Sequence, residues 1–312
     1  MASSGSVDFT LTRNEVITLS YKKIGRFAQG KTLSAAQVAD ASDNLNLMLK
    51  AFQRKGLKVF LRKRATLFLA LNDSQFGLGT AGDNATYSYT RTQIKVAAVA
   101  TATTIDVDST SGMAAADFIG FELDDGSLQW TTVTSVTDSD TVVIPAPGLS
   151  DACAVDNYVY FYRTKIDRPL RIVEAFIRDE DSNDRPVRVI SEKEYYELSN
   201  KNSDGAVTSI YYDAQLTTGQ LYVWPQTSIV TDTLEMVVHR PIEDMDGSAD
   251  TFDVPVEWLE PIVWGLSWRM GPDAGISETR IAALKSVADE FLAEAEGHDI
   301  EDASVTFEPE LR

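Results

Sequence analysis

The chain has 312 residues, of which 44% are hydrophobic, and this length suits two or three folded domains with a sizeable core. One cysteine, Cys153, excludes an internal disulfide, and two histidines, His239 and His298, leave little scope for imidazole chemistry. The net charge of −19 is uneven: residues 1–65 carry 12 Lys and Arg against 4 Asp and Glu, whereas residues 66–312 carry 16 against 43. That acidic remainder argues against a protein that wraps duplex DNA over most of its surface.

The first predicted element is a helix over residues 12–24. Thr12 and Glu15 form a capping-box pattern, and apolar residues then recur every three or four positions. Together with the next helix it would form an N-terminal hairpin over residues 1–58.

The second predicted helix covers about residues 35–55. Ser34 and Gln37 form a second capping-box pattern before it, and Gly56 supplies its stop. Its apolar stripe repeats at intervals of three and four residues, which is typical of a core-facing helix. The stripe consists of Val38, Ala41, Leu45, Met48 and Phe52.

The loop between these helices, GRFAQGKT, has the G-x-x-x-x-G-K-T spacing of a phosphate-binding P-loop through Gly25, Gly30, Lys31 and Thr32. A P-loop follows a buried β-strand, whereas the residues before Gly25 have helical spacing. Gly25 also stands where a helix C-terminus favours a left-handed residue. We therefore interpret the stretch as a helix–helix loop that binds no nucleotide cofactor.

A β region follows, with a platform domain over residues 59–85 and 165–253 and an inserted domain over residues 86–164. In the platform, VFLRKRATLFLAL predicts a strand and FGLG (residues 76–79) predicts a turn. In the inserted domain, short alternating runs are separated by Gly, Pro and Asp-Gly turns, and LDDGS (residues 123–127) predicts a tight hairpin. We expect five or six strands closed into a small β-barrel or sandwich.

The second part of the platform reads as strand, turn, strand, short helix and three further strands. Ser191 and Glu194 form a third capping-box pattern, and SIYYD, QLYVWPQ and TLEMVVHRP then predict a β-meander. The turn DEDSND, residues 179–184, resembles a calcium loop, but Asp184 and Ile190 stand where that loop requires glycine and glutamate. We expect a polar turn and no metal site.

Two more helices are predicted over residues 254–297. VPVEWLEPIVWGLSWRM has one strongly apolar side and places Pro261 in the first turn, where proline is tolerated. Ser277 caps the last helix, and Gly297 ends it. Residues 298–312 form an acidic tail, which is either free or orders on a neighbouring subunit.

These elements predict an α+β fold with a discontinuous helical bundle. The N- and C-terminal helices would form one bundle, and a large β region, a β-meander or sandwich plus the extra small β-barrel, would be inserted into it. The longest apolar runs are too short to span a membrane, and no charged-then-apolar leader opens the chain, so we expect neither anchoring nor secretion.

A cluster of positive residues spans the end of the second helix and the start of the first strand. It is either a solvated helix end, where the helix dipole favours cations, or a docking surface for an acidic partner or nucleic acid. The candidate partner-contact residues are these cations and one aromatic residue of the acidic tail: Lys50, Arg54, Lys55, Lys58, Arg62, Lys63, Arg64 and Phe307.

In this order, the elements resemble the head-to-tail adaptor (connector) proteins of tailed phages, including the tail tubular protein A and tail accessory factor families. The resemblance rests on LNLMLKAFQRKGL, on RPLRIVEAFIR followed by VRVISEKEYYELSNK, on LYVWPQ, and on DVPVEWLEPIVWGLSWRMGPD. These patterns cover most of residues 10–85 and 165–295. Residues 86–164 go beyond the family pattern and look like an added β-domain on the outside of a ring.

The resemblance implies a structural virion protein with no catalysis and no cofactor. Such adaptors form a ring, usually of twelve copies, beneath the portal protein after DNA packaging, complete the head, and offer a platform for tail and nozzle proteins. Packaged DNA passes through the channel without sequence-specific binding, and an acidic lumen would let it slide. The expected location is the head–tail junction of the virion, after synthesis in the host cytoplasm.

Two other classes of function stay open. A tail-associated hydrolase would need two carboxylates at a defined separation, and none of the 47 acidic residues is singled out. A receptor- or carbohydrate-binding tail module would use aromatic side chains exposed on a concave face, although alternating aromatics in strands more often pack a sheet. Its candidate residues are Trp130, Trp224, Tyr158, Tyr160 and Tyr162.

Overall fold

The computed structural model describes residue 5 and residues 8–25, 32–53 and 59–299. It mixes helix and sheet, as the sequence predicts. The chain divides into two compact units, which we call the helical unit and the sheet unit. The helical unit is Met1–Leu61 together with Ile242–Arg312, and the sheet unit is Arg62–Pro241.

Within the described residues, the helical unit contains four α-helices and the sheet unit one short α-helix. In chain order they are α1 (Arg13–Ile24), α2 (Ala35–Gln53), α3 (Glu192–Glu197), α4 (Leu259–Met270) and α5 (Glu278–His298). Short 3-10 turns, Val59–Leu61 and Val256–Trp258, precede the first strand and α4. Pro261 lies in the first turn of α4, as predicted, whereas Gly56, the predicted stop of α2, lies outside the described residues.

The three predicted capping boxes are confirmed. Before α1, the backbone N–H of Glu15 donates to Thr12 Oγ1 at 3.4 Å, and the Glu15 carboxylate accepts from the Thr12 backbone N–H at 2.8 Å. Each pair satisfies backbone donors that the first helical turn leaves without an intrahelical acceptor. The same reciprocal bonds form before α2 and α3, between Ser34 and Gln37 and between Ser191 and Glu194.

α4 is the central helix of the helical unit and packs against α1, α2 and α5. Its buried side meets the predicted stripe of α2, in which Leu45 and Met48 are fully buried. Gly265 allows the close approach of α2, because a Cβ at this position would lie 2.8 Å from the Met48 sulfur. Between α1 and α4, the buried Ser20 hydroxyl donates to the Val263 carbonyl at 3.0 Å.

The helical unit resumes earlier in the chain than the sequence suggests. Residues 242–253, which the pattern assigns to the β platform, belong to the helical unit. The physical reason is burial, because Ile242, Met245 and Phe252 contribute to the same core as the helices.

The limits of α5 differ slightly from the prediction. Ser277 occupies the N-cap position in an extended conformation. Gly297 does not end the helix but lies inside its last turn, which is closed by a hydrogen bond from Asp299 N to the Ala295 carbonyl at 3.1 Å. The last helical residue is His298.

Fifteen strands occur within the described residues, all of them in the sheet unit. They are β1 (Arg62–Phe68), β2 (Gln75–Leu78), β3 (Ala85–Thr86), β4 (Thr90–Gln93), β5 (Thr104–Asp106), β6 (Phe118–Glu122), β7 (Leu128–Thr132), β8 (Ser135–Val136), β9 (Thr141–Val143), β10 (Tyr158–Tyr162), β11 (Arg171–Arg178), β12 (Asp184–Val189), β13 (Ser209–Asp213), β14 (Gly219–Trp224) and β15 (Thr233–His239).

Eight of these strands form one large sheet in the order β2-β14-β13-β12-β11-β15-β1-β3. Neighbours are antiparallel except β12 and β13, which run parallel and are connected through α3. The predicted meander is therefore wrong: β14 pairs with β2, and β15 lies between β11 and β1. The FGLG segment is also not a turn, because Gly77 of β2 pairs with Gln220 of β14.

The DEDSND segment forms the predicted polar turn between β11 and β12. The backbone N–H of Asp179 donates to the Asn183 carbonyl at 3.1 Å, and Ser182 adopts a left-handed conformation with φ +67°. The turn therefore closes a β-hairpin.

The inserted segment, residues 86–164, carries seven strands instead of the expected five or six. They form two sheets, β4-β10-β6-β7 and β5-β9-β8. LDDGS makes the predicted hairpin between β6 and β7, with Gly126 left-handed at φ +80°. The segment encloses a core of its own, which includes Ile119, Phe121, Val142 and Cys153.

Among the described residues, no helix has both the length and the hydrophobicity that a membrane crossing requires.

Candidate interaction surfaces

The predicted positive cluster is divided between the two units. Lys50 lies in α2, where its ammonium donates to the Ile242 carbonyl at 2.7 Å and pairs with Asp244 at 2.6 Å. This contact fastens the segment after Ile242 to α2. The side chain of Lys50 is 42% exposed, so the ion pair contributes only a small amount to stability.

Arg62, Lys63 and Arg64 begin β1 in the sheet unit. Arg64 pairs at 2.8 Å with Glu235, whose side chain is only 4% exposed, and its guanidinium lies 4.7 Å from the Phe176 ring centroid. The Lys63 ammonium lies 4.2 Å from the ring centroid of Tyr87. Arg64 therefore neutralises a buried carboxylate of the sheet, and this structural role was not predicted.

Several predicted site residues fall outside the described part of the chain. These are Arg54, Lys55 and Lys58 of the positive cluster, Phe307 of the tail, and Gly30 and Lys31 of the GRFAQGKT loop. Gly25 and Thr32 are described. Gly25 has φ +84° and its N–H donates to the Lys22 carbonyl, so it ends α1 in the predicted left-handed conformation. A helix, not a strand, therefore precedes the loop, contrary to what a P-loop requires.

The groups considered for catalysis lie in structural positions. His239 is buried in β15, and His298 is the last residue of α5. The Cys153 thiol donates to the Glu122 carbonyl at 2.8 Å, and burial raises the pKa of this thiol to about 11. Because the thiolate is the nucleophilic form, Cys153 is poorly reactive near neutral pH.

The sequence offers the carboxyl groups as candidates for a metal centre or for the acid pair of a hydrolase. No group of three or more His, Cys, Asp or Glu side chains in the described ranges is placed to hold a metal ion. Burial raises the pKa of Asp232, but its carboxylate pairs with Arg185 at 2.6 Å, as in a structural ion pair. Asp232 is therefore not singled out as the general acid of such a pair.

The aromatic residues proposed for a binding face pack around Phe68 at the end of β1. Tyr160 and Tyr162 are 2% and 3% exposed, so they do not form an open face. Trp130 lies flat on Gly120, its cross-strand partner, where a Cβ would come within 2.8 Å of the indole. We call this group the Phe68 cluster; it consists of Phe68, Tyr89, Phe118, Leu128, Trp130, Tyr158, Tyr160 and Tyr162.

Trp224, the other proposed aromatic residue, contacts the loop after α3 through a hydrogen bond from its Nε1 to the Asn200 carbonyl at 2.6 Å. Beside it lies a group that sequence reasoning missed, which we call the tyrosine cluster. Tyr211 and Tyr222 are cross-strand partners with ring centroids 5.5 Å apart, and Tyr195 of α3 packs on both. Tyr196 completes the cluster and is 62% exposed.

The helical unit carries an apolar groove between α1 and α4, with a volume of about 340 Å³. Phe9 and Val256 stand at its edge with 64% and 48% of their surface exposed, whereas Leu259 and Val263 are buried in its floor. We call it the helical groove; its lining residues are Phe9, Leu11, Leu19, Lys23, Val256, Leu259, Glu260, Val263 and Trp264.

The groove exists because α4 is apolar nearly all round. Ile262, Leu266 and Met270 are buried in the core of the helical unit, and Trp264 is left on another side of the helix. Trp264 is only partly covered, by Phe291 of α5 at a centroid separation of 6.2 Å and by the Lys23 ammonium at 4.5 Å. A helix that is hydrophobic on all sides is normally buried on all sides, so α4 lacks a neighbour over the groove within the described residues.

A second hollow, of about 350 Å³, lies on the other flank of α1. It shares Leu11 and Leu19 with the helical groove and is otherwise lined by Asn14, Glu15, Thr18 and Lys22. Leu11 and Leu19 therefore line both hollows, and the C-terminal end of α1 carries the positive charges of Lys22 and Lys23.

No protein-family model and no curated protein matches the chain.

Proposed function

We propose that this chain is the subunit of a head-to-tail adaptor ring in a tailed phage, a structural virion protein without catalysis. The observation that carries the proposal is the helical groove, an open apolar surface on a unit assembled from both ends of the chain. The resemblance to adaptor proteins rests on the order of the sequence patterns. The groove is a surface through which a subunit of this kind can assemble. Contiguous exposed apolar surface on a soluble unit marks an interaction site.

A ring needs two different surfaces on each copy, one of which meets the other on the next copy. In our proposal the helical unit forms the body of the ring, and the helical groove takes part in the contacts with neighbouring subunits or with the portal protein. Twelve copies would dock beneath the portal and present a platform for tail and nozzle proteins. The inserted segment would decorate the outside, because it has its own core and lies outside the family pattern.

The channel of such a ring has to pass DNA without holding it. Residues 66–312 carry 43 acidic against 16 basic side chains, which favours a channel wall that repels phosphate. Packaged DNA would then move through without sequence-specific binding, because phosphate neutralisation by Lys and Arg supplies most non-specific affinity.

The proposal is tested by placing a charge in the helical groove. Phe9→Asp and Val256→Asp change exposed positions, so both variants should fold, but each puts a carboxylate where an apolar contact is expected. We expect at least a tenfold loss of binding to the portal protein encoded with the chain, measured by light-scattering titration. The matched control is Leu216→Asp in the loop between β13 and β14, where the leucine is 91% exposed. Equal binding by all three variants would exclude the groove as the contact surface.

A receptor- or carbohydrate-binding tail module is the second candidate, and the tyrosine cluster is the observation that favours it. Tyrosines combine an apolar face with a polar tip, which suits recognition of sugars and of other polar partners. Glycan-array binding that disappears in Tyr196→Ala and survives in Val256→Asp would support this candidate over the adaptor.

A further inference from the structure

The tyrosine cluster presents aromatic surface to solvent on one face of the large sheet. Tyr195 of α3 is 5% exposed and forms the base of the cluster. Tyr211 and Tyr222 are half-buried, and their rings are nearly parallel, with an interplanar angle of 14°. The ring of Tyr196 stands edge-on to that of Tyr195 at a centroid separation of 5.7 Å. The cluster is therefore open to a partner on the side of these three outer rings.

Two carboxylates border the open rings. Asp213 ends β13 two positions after Tyr211, and alternate residues of a strand share a face. Glu192 begins α3, three and four positions before Tyr195 and Tyr196, a spacing that places side chains on the same side of a helix. Burial and then the negative charges of Asp213 and Glu192 raise the pKa of Tyr211. The open side of the cluster is therefore negatively charged.

Two lysines of the chain lie near the cluster, and both are engaged by other groups. Lys193 pairs with Glu197 of the same helix at 3.7 Å. The Lys201 ammonium donates to the Leu198 carbonyl at 2.8 Å and lies 4.5 Å from the ring centroid of Tyr195. Lys201 therefore occupies the base of the cluster and leaves the outer rings open.

A third cation, Arg188, stands on β12 beside the first residue of β13. Its charge acts on the capping carboxylate of α3, because hydrogen bonds from Ser191 and then the charge of Arg188 lower the pKa of Glu194. Within the described residues, neither Glu192 nor Asp213 forms an ion pair with Lys or Arg. The chain itself therefore leaves the charge of both carboxylates without a cation.

This combination suits a cationic side chain better than a neutral ligand. Lys201 shows that a ring of the cluster already accepts a positive charge, whereas a neutral sugar has no charge for the two carboxylates to balance. A guanidinium is planar, stacks on aromatic rings and donates to carboxylate oxygens through a rigid fork. Tyrosine and arginine are also enriched among the residues that dominate the affinity of protein interfaces.

We propose that the open side of the tyrosine cluster binds an exposed arginine of a partner protein, with the guanidinium against the ring of Tyr196 and paired with Glu192 and Asp213. The site belongs to the sheet unit, whereas the helical groove belongs to the helical unit. The inference goes beyond the adaptor function and does not rest on it. Because both carboxylates reach solvent, the affinity should fall as the salt concentration rises.

The probe is a short fluorescently labelled peptide of alternating arginine and glycine, and its binding to the full-length chain is followed by fluorescence anisotropy at low salt. A second peptide has citrulline in place of arginine, which keeps the shape of the side chain and removes its charge. A third has lysine, which keeps the charge and removes the planar fork. We expect saturable binding of the arginine peptide, weaker binding of the lysine peptide, and no binding of the citrulline peptide.

Variants of the chain locate the site. Glu192→Gln together with Asp213→Asn removes two charges at nearly constant side-chain size and should weaken binding by about tenfold. Tyr196→Ala should weaken it by about two- to fivefold, whereas Tyr196→Phe, which keeps the ring, should bind like the unchanged chain. The matched control, Asp289→Asn together with Glu290→Gln, removes the same charge from exposed positions of α5 and should change the affinity by less than about twofold.

Three results with the peptides would overturn the inference. Absence of binding by the arginine peptide would show that the cluster does not recognise arginine, and equal binding of the citrulline peptide would show that charge is not recognised. Equal losses in the two doubly neutralised chains would show unspecific attraction to an acidic protein.

A glycan-array signal that depends on Tyr196 but not on Glu192 and Asp213 would also contradict the inference and would favour the receptor-binding candidate. None of these readouts involves the portal protein. Failure of this inference is therefore distinguishable from failure of the proposed adaptor function.

Discussion

Phe68→Ala is the substitution that most directly tests how the inserted segment is held on the large sheet. Phe68 ends β1, is 3% exposed, and its ring centroid lies 5.1, 4.9 and 5.0 Å from those of Tyr89, Trp130 and Tyr160. These three aromatic residues all belong to the inserted segment. The substitution therefore removes the side chain on which its aromatic face packs.

The expected loss follows from the area that Phe68 buries. A phenylalanine buries about 150–250 Å², which at about 25 cal/mol per Å² corresponds to roughly 4–6 kcal/mol as an upper limit. Buried Phe→Ala substitutions cost about 3–5 kcal/mol when the cavity is only partly filled. We therefore expect Phe68→Ala to lower the free energy of unfolding of the sheet unit by about 3–5 kcal/mol.

Native-state hydrogen exchange is the suitable assay, because it reports the opening free energy of β1, β6 and β10 separately from that of the helices. Cys153 supplies an internal control, since it lies in the core of the inserted segment and not in the Phe68 cluster. Its thiol should stay unreactive in the folded variant. A second control, Val99→Ala, changes a residue that is 72% exposed and should cost less than about 0.5 kcal/mol. A loss below about 1 kcal/mol for Phe68→Ala, or a reactive Cys153, would refute this packing.

Three further predictions concern the core of the helical unit, a helix cap and the inserted segment. Leu45→Ala should lower the free energy of unfolding of the helical unit by about 2–5 kcal/mol, whereas Leu47→Ala, at a position 66% exposed, should change it little in the same urea titration. Hydrogen bonds from the Ser191 backbone and hydroxyl lower the pKa of Glu194 below its ordinary 4.5. The stability from this cap is therefore complete above the ordinary pKa and lost as pH falls through the lowered one. The protection factors of the α3 amides, which are corrected for the intrinsic pH dependence of exchange, should fall on acidification in the unchanged chain and should lose this pH dependence in Glu194→Gln. Replacing residues 86–164 by a short Gly/Ser bridge, with Phe68→Thr to avoid a newly exposed ring, should leave portal binding intact, and loss of binding by a folded deletion variant would contradict that expectation.

The local features of the fold could be predicted because they depend on neighbouring residues. A capping box needs only two residues three positions apart, and the start of α1 at Thr12 followed from that rule. The buried stripe of α2 followed from its spacing, and Gly25 from the left-handed conformation that a helix end requires.

Strand partners could not be predicted, because periodicity says which face of a strand is buried but not which strand lies beside it. The two glycines of FGLG predict a turn, but this segment is part of strand β2. It pairs with β14, which lies far from it in the sequence. A Cβ at Gly77 would make a tight contact, 3.0 Å from the Thr218 methyl group. The predicted meander likewise fails because β15 pairs with β11 and β1 instead of with β14.

The candidate surfaces were predicted less well than the elements that carry them. Phe9, Val256 and Trp264 form a groove only because α1 and α4 lie side by side. No local sequence pattern predicts which apolar residues stay exposed to solvent. Tyr195 meets Tyr211 and Tyr222 only through the packing of α3 on the sheet. The apolar character of α4 was the one signal in the sequence that could have indicated the groove. A helix with so much apolar surface is expected to be covered on all sides, and its neighbours in the chain cover only part of it.

Native mass in solution, measured by mass photometry with and without the purified portal protein, tests the adaptor proposal most directly. We expect a ring of about twelve subunits, either alone or bound to the portal, and loss of that species in Val256→Asp but not in Leu216→Asp. A monomer or dimer whose mass is unchanged by the portal would contradict the adaptor function and direct attention to the tyrosine cluster instead.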